Sequence, residues 1–180
     1  MNAQTLLAAT AILVSTACSP PAAQTAEGPP AATPVNATVI GSTGDTIGSL
    51  NLQQSPHGVL IRVELGSGSL TPGWHGLHLH QVGDCSDIGV YKLSGGHVGK
   101  VEGGHGLLNA AGPEGGDTPN IYAALDGSAA MEIITDRVTL SELADLDGSA
   151  LIIHAGEDDH ITQPIGGAGA RVACAVIQAP

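Results

Sequence analysis

Short runs of alternating apolar and polar residues, each cut off by Gly, Asn, Asp or Pro, constrain the fold of this chain more than any other feature. From Asn36 onward the runs are "NATVIG", "TIGSLNLQQ", "GVLIRVEL", "GLHLHQV", "NIYAALD", "AAMEIITDRV", "SALIIHAG" and "ARVACAVI". A period of two sends successive side chains to opposite faces, so each run reads as a half-buried strand. Eight such strands, punctuated throughout a chain of 180 residues by 26 Gly and 11 Pro, predict an all-β sandwich or barrel. There is no Phe, so Val, Ile and Leu must fill the interior. Two connections stand out by their length, Gly83 to Pro119 and Glu157 to Gly169. Loops that long inside one domain are usually functional.

The amino-terminal segment is built differently. Leu6 to Ala17 form an apolar stretch too short to cross a bilayer, followed by small residues and Cys18, so residues 1–18 read as a secretory signal. Ser15 to Cys18 resembles a bacterial lipobox, with Ser15 where a large aliphatic residue is usual. Lipidation of Cys18 would make the exported chain a periplasmic, membrane-anchored lipoprotein. The stretch "SPPAAQTAEGPPAATP", residues 19–34, has the Pro and Ala richness of a disordered tether, which leaves 35–180 for the folded domain.

Charge removes one class of partner. The formal net charge of −12 sets 17 acidic residues against Arg62, Lys92, Lys100, Arg137 and Arg171 alone. A polyanion would be repelled and no basic stripe is available to neutralise phosphates, so nucleic acid is not expected to bind. With Cys18 in the signal, two cysteines remain, Cys85 and Cys174. In an oxidising compartment a disulfide between them is the favoured reading, with a metal-ligating or free thiol pair as the alternative.

Histidines gather where strands meet the long loops. His78 and His80, two apart on one strand, project to the same side and can both reach a single ion. His97 and His105 lie in the first long loop, Asp117 sits at its end, and His154 lies near the end of the seventh run. Spacing alone leaves two readings open, a metal site and a set of solvated surface histidines.

The segments "HGLHLHQVGDC", "GGHVGKVEGGHG", "GPEGGDTPNI", "IIHAGEDD" and "GGAGARVACAVI" carry a resemblance to a known family. In order and internal spacing they resemble the signature segments of the copper/zinc superoxide dismutases, in their exported bacterial branch, over about Val35 to Pro180. The resemblance implies a flattened, eight-stranded antiparallel Greek-key barrel with two long functional loops. It also implies dismutation of superoxide to dioxygen and hydrogen peroxide, in a monomer or homodimer. His78, His80 and His154 match copper ligands, and His97 matches the imidazole shared between copper and zinc. His105 and Asp117 match zinc ligands, and Asp158 matches the carboxylate that links the two metal sites. His75 matches a position that braces the copper ligands without ligating. Arg171 matches the active-site arginine, which with His97 carries catalysis, and Cys85 and Cys174 match the disulfide.

Glu114 departs from the family pattern. It stands where a third zinc histidine is usual, and a carboxylate oxygen can take that place, giving a His97, His105, Glu114, Asp117 set. The same residues also suit an exported copper- or zinc-binding carrier without turnover. Arg171 and the shared His97 favour the enzyme, because a carrier needs neither. His57 and His160 are expected to be solvated, and Trp74 reads either as a buried anchor or as a contact surface.

Overall fold

The structure, a computed structural model, describes residues 33–179. The expected signal over 1–18, with Cys18, and all of the expected tether except its last two residues lie outside them. Nine strands form among the described residues: β1 (Val35–Gly41), β2 (Thr46–Ser55), β3 (Gly58–Leu65), β4 (Gly73–His75), β5 (Leu77–His80), β6 (Ile121–Ala123), β7 (Ala129–Thr135), β8 (Ser149–His154) and β9 (Arg171–Ile177). All pairings are antiparallel, in the order β4-β6-β7-β3-β2-β1-β9-β8-β5. The two end strands of that order are neighbours in sequence, separated by Gly76 alone, so the sheet curls into a nearly closed Greek-key barrel.

Eight strands become nine at that glycine. The chain pairs with β6 up to His75 and with β8 from Leu77 onward. At the switch, Gly76 N–H donates to the Gly156 carbonyl at 2.8 Å and its own carbonyl accepts from His154 N–H at 2.8 Å. A Cβ there would lie 2.8 Å from the Ala168 Cβ, so a side chain would push the second long loop away. Alternation cannot reveal β4, because its three residues are too few to show a period.

The sixth run also ends sooner than its pattern suggests. β7 stops at Thr135, and Thr139 opens the four-residue helix α1 (Leu140–Leu143) with a capping box. The Thr139 side chain accepts from Glu142 N–H while the Glu142 carboxylate accepts from Thr139 N–H.

Inward-facing aliphatics build the core. Along β3 the pattern is regular, with Val59, Ile61, Val63 and Leu65 buried. Each such side chain contributes about 1.5–3 kcal/mol on burial, enough to fix the register wherever one face is dry. β5 and β8 are different, because every residue in both is buried. Leu77, Leu79, Leu151 and Ile153 join the interior core. Their alternates, His78, His80, Ile152 and His154, face the other way and are covered by the two long loops, Gln81 to Asn120 and Ala155 to Ala170. That outer face carries a second apolar cluster of Tyr91, Ala150, Ile152 and Cys174, with Cys85 packed against it.

Candidate metal centre

The first long loop is held against β5 by backbone pairing. Gln81 N–H donates to the Gly96 carbonyl at 2.9 Å, Val98 N–H to Leu79 at 2.9 Å, and Leu79 N–H to Gly116 at 2.9 Å. These contacts set His97 opposite His80 and Asp117 opposite His78. Gly116 permits the approach, since a Cβ there would strike the Leu79 carbonyl. Residues far apart in sequence thus become neighbours on one sheet edge.

His78, His80 and His154 are fully buried, and their ligand atoms lie within 4.8 Å of one another. Each ring has one nitrogen fixed by an acceptor. His80 Nδ1 donates to the Gly95 carbonyl at 2.9 Å, His154 Nδ1 to the Gly169 carbonyl at 3.0 Å, and His78 Nε2 to Asp158 Oδ2 at 2.8 Å. Carbonyls and carboxylates only accept, so those nitrogens carry the protons and the opposite ones present lone pairs. The opposite atoms, His78 Nδ1, His80 Nε2 and His154 Nε2, are buried and have no hydrogen-bond partner in the protein. His97 Nε2 is a fourth such atom, with its ring centroid 4.3 Å from that of His78 and 5.1 Å from that of His80. Four unpartnered buried imidazole nitrogens are expensive unless a cation satisfies them, so the set fits copper.

A harder donor set lies behind His97. Its Nδ1 sits 2.9 Å from Glu114 Oε2 and 3.1 Å from Asp117 Oδ1, and His105 Nδ1 is 2.8 Å from the same Asp117 oxygen. His78, His97, His105 and Asp117 fall within one 4.8 Å group. Asp158 occupies Nε2 of both His78 and His105, which leaves the second set to His97, His105, Glu114 and Asp117. Glu114 is buried and its other oxygen, Oε1, accepts from Val101 N–H at 3.0 Å, which aims Oε2 inward. Two imidazoles and two carboxylates suit zinc.

Asp158 joins the two sets. Oδ2 receives His78 and Oδ1 receives His105 Nε2 at 3.2 Å and the His160 N–H at 2.6 Å. Asn120 clamps its backbone, accepting from Asp158 N–H at 2.9 Å and donating to its carbonyl at 2.8 Å. No role for Asn120 follows from the runs and segments that contain it, so this clamp is a tertiary finding. His160, expected in solvent, is partly covered, with Nε2 3.2 Å from Asn120 Nδ2. His57 is exposed as expected. His75 is buried between the His154 and Thr71 carbonyls, at 2.8 and 2.7 Å, and braces the backbone of a site residue. Trp74 is not an anchor; it is about half exposed and meets Tyr122 edge-on at 4.9 Å.

Arg171 opens β9 beside this group. Its guanidinium donates to the Tyr91 carbonyl at 2.6 Å, Ser94 Oγ at 3.0 Å and the Gly95 carbonyl at 2.8 Å. With His154 and Lys92 it lines a cavity of about 350 Å³. Cys85 and Cys174 form a disulfide, with their Cα atoms 5.9 Å apart.

The pattern for copper/zinc superoxide dismutases, described as "Copper/zinc superoxide dismutase (SODC)", matches residues 46–177. The chain belongs to the copper/zinc superoxide dismutase family. It is 47% identical over 152 residues to the "Superoxide dismutase [Cu-Zn]" of Caulobacter vibrioides, covering 79% of this chain and 86% of that one. To the enzyme of the same name from Photobacterium leiognathi it is 38% identical over 145 residues, covering 76% and 81%. Among solved structures, Cu/Zn superoxide dismutase from Brucella abortus superposes with a TM-score of 0.67 at 27% identity, covering 81% of this chain and 100% of that one. Copper and zinc are therefore the metals of the family, and the histidine-rich groups His78, His97, His105, Asp117 and His78, His80, His154 could bind metal.

Burial sets the proton affinities of the family's histidines here when no metal competes. Desolvation lowers His78 to about 4, His80 to about 2 and His154 to about 4. Burial opposes a charge on His105 too, but hydrogen bonds to Asp117 and Asp158 outweigh it and raise that ring to about 9. A histidine with a lowered folded value contributes stability above the unfolded value of about 6.5 and loses it as pH falls through the folded one. His105 has the opposite sign: its contribution is complete below about 6.5 and is lost as pH rises through about 9. The metal-free protein should therefore have its highest thermal midpoint near neutrality. It should decline toward pH 4 and, less steeply, toward pH 9. A metal-free midpoint that rises between pH 6.5 and pH 4 would contradict this.

Proposed function

We propose that this protein dismutes superoxide at a copper site made by His78, His80, His97 and His154, joined through His97 to a zinc site made by His97, His105, Glu114 and Asp117. Bound copper supplies a one-electron couple, so that two superoxide ions and two protons become one dioxygen and one hydrogen peroxide. The observation that carries this reading is the set of four buried nitrogens without partners, each on a ring whose other nitrogen is fixed.

The chain's own residues do the rest. Arg171 offers a fixed positive charge to an anion in the cavity that it shares with His154. His97 Nε2 is placed to hold a proton and release it to the peroxide product, and the carboxylates of Glu114 and Asp117 at its Nδ1 orient the ring.

Elemental analysis and a dismutation assay on the same sample test the proposal, with Arg171→Ala beside it. The expected result is one copper per chain and fast turnover that falls about tenfold or more in the variant, as loss of a charge-assisted hydrogen-bonding group predicts. Bound metal without turnover would instead establish a carrier. Glu114→Ala should lose most of its zinc while keeping copper, and Glu114→His should keep both. Full zinc in Glu114→Ala would remove Glu114 from the ligand set.

The same reading places the protein in the periplasm, exported through residues 1–18 and anchored by a lipid on Cys18, with 19–34 as tether. The Cys85–Cys174 disulfide supports an oxidising compartment. The mass of the mature chain tests the anchor: an acylated Cys18 as first residue is expected, and an unmodified terminus elsewhere would refute it.

A further inference from the structure

The loop that receives Arg171 hangs on a side chain that no metal-ligand pattern singles out. Tyr91 is fully buried and holds a left-handed backbone, φ 54 and ψ 25, which a bulky residue keeps only when its surroundings impose it. Its ring packs with Ala150, Ile152 and Cys174 on the outer face of the barrel. Its phenol donates to the Gly41 carbonyl, at the end of β1, at 2.6 Å, with the adjoining Ile40 carbonyl at 3.3 Å. The Tyr91 carbonyl accepts both the Arg171 guanidinium at 2.6 Å and Ser94 Oγ at 2.8 Å. Ser94 and Gly95, one short turn further on, supply the other two acceptors for Arg171, and the Gly95 carbonyl also fixes His80. One loop therefore aligns an anion-binding cation and a copper-side imidazole, and the Tyr91 phenol ties that loop to β1.

We infer that Tyr91 is a positioning residue: by tying the Tyr91–Gly95 loop to β1, it fixes the Arg171 guanidinium relative to His80 and so sets the affinity of the site for a small anion. This rests on Arg171 being the group that receives the anion.

Tyr91→Phe isolates the hydrogen bond. The ring remains, and the Gly41 carbonyl, the phenol's shorter contact, keeps the Gly44 N–H at 2.9 Å and is not orphaned. Azide, a small anion, would be titrated against the copper- and zinc-loaded protein in Tyr91→Phe, Arg171→Ala, the double variant and Tyr122→Phe, an exposed tyrosine serving as control. Tyr91→Phe is expected to weaken azide binding and lower kcat/KM for superoxide by about three- to tenfold, the range for one net hydrogen bond, with copper content unchanged. On the Arg171→Ala background that loss should vanish, because Tyr91 acts only through Arg171. If Arg171→Ala binds azide and turns over normally, the reading of Arg171 fails and takes the proposal with it. If Arg171→Ala is impaired but Tyr91→Phe behaves as Tyr122→Phe, or if its loss persists in the double variant, the role of Tyr91 alone is overturned.

Discussion

Removing both metals should lower the thermal midpoint by roughly 20 °C, taking about 4 kcal/mol for each ion held a thousandfold above its dissociation constant and about 2–4 °C per kcal/mol for a domain of this size. The physical source is visible in the site. Without a cation, His78 Nδ1, His80 Nε2, His97 Nε2 and His154 Nε2 stay desolvated and unpaired, and Glu114, Asp117 and Asp158 remain buried around His97 and His105. Those carboxylates and imidazoles also tie the second long loop to β5 and to the first loop, so the loops should loosen before the sheet does. Scanning calorimetry of chelated and reloaded protein, with hydrogen exchange across 81–120 and 155–170, checks both statements. Equal midpoints for the two forms would mean that the donor sets are satisfied without metal.

Cys85→Ser with Cys174→Ser should cost about 4–5 kcal/mol, because the bond closes a loop of 89 residues in the unfolded chain. At about 2–4 °C per kcal/mol the midpoint falls by roughly 10–15 °C, independently of metal content. Cys174 sits inside β9, in register with Ile152 and Ile40, so the sheet holds it whether or not the bond is present. Cys85 lies in the first long loop, packed against Ala150, Ile152 and Cys174, and the same loop carries the acceptors of Arg171. The serine pair should therefore leave the barrel intact and act first on the loop. A midpoint shift below about 3 °C would show that the unfolded chain is already compact across that loop.

Alternation along β3 and its neighbours made the barrel legible in the sequence, because a one-residue slip would turn Val59, Ile61 and Val63 to water. The same period put His78 and His80 on one side of β5, and the family's motifs pointed to His97, His105, His154, Asp117, Asp158 and Arg171 by number. What local pattern could not carry is the closure at Gly76, where the chain changes partners from β6 to β8, since β4 is too short to show a period. Nor could it carry the inward aim of Glu114, which depends on an N–H thirteen residues away at Val101, or the clamp of Asn120 on Asp158. Nor could it mark Tyr91, whose phenol meets Gly41 and whose carbonyl meets Arg171 only in the fold. The sequence by itself determined which residue types face inward and which bear the metal chemistry, because those follow from side-chain period and donor identity. Only the tertiary structure decided which nitrogen of each imidazole is left free, and what holds the guanidinium, because both depend on acceptors that the chain brings together only when it folds.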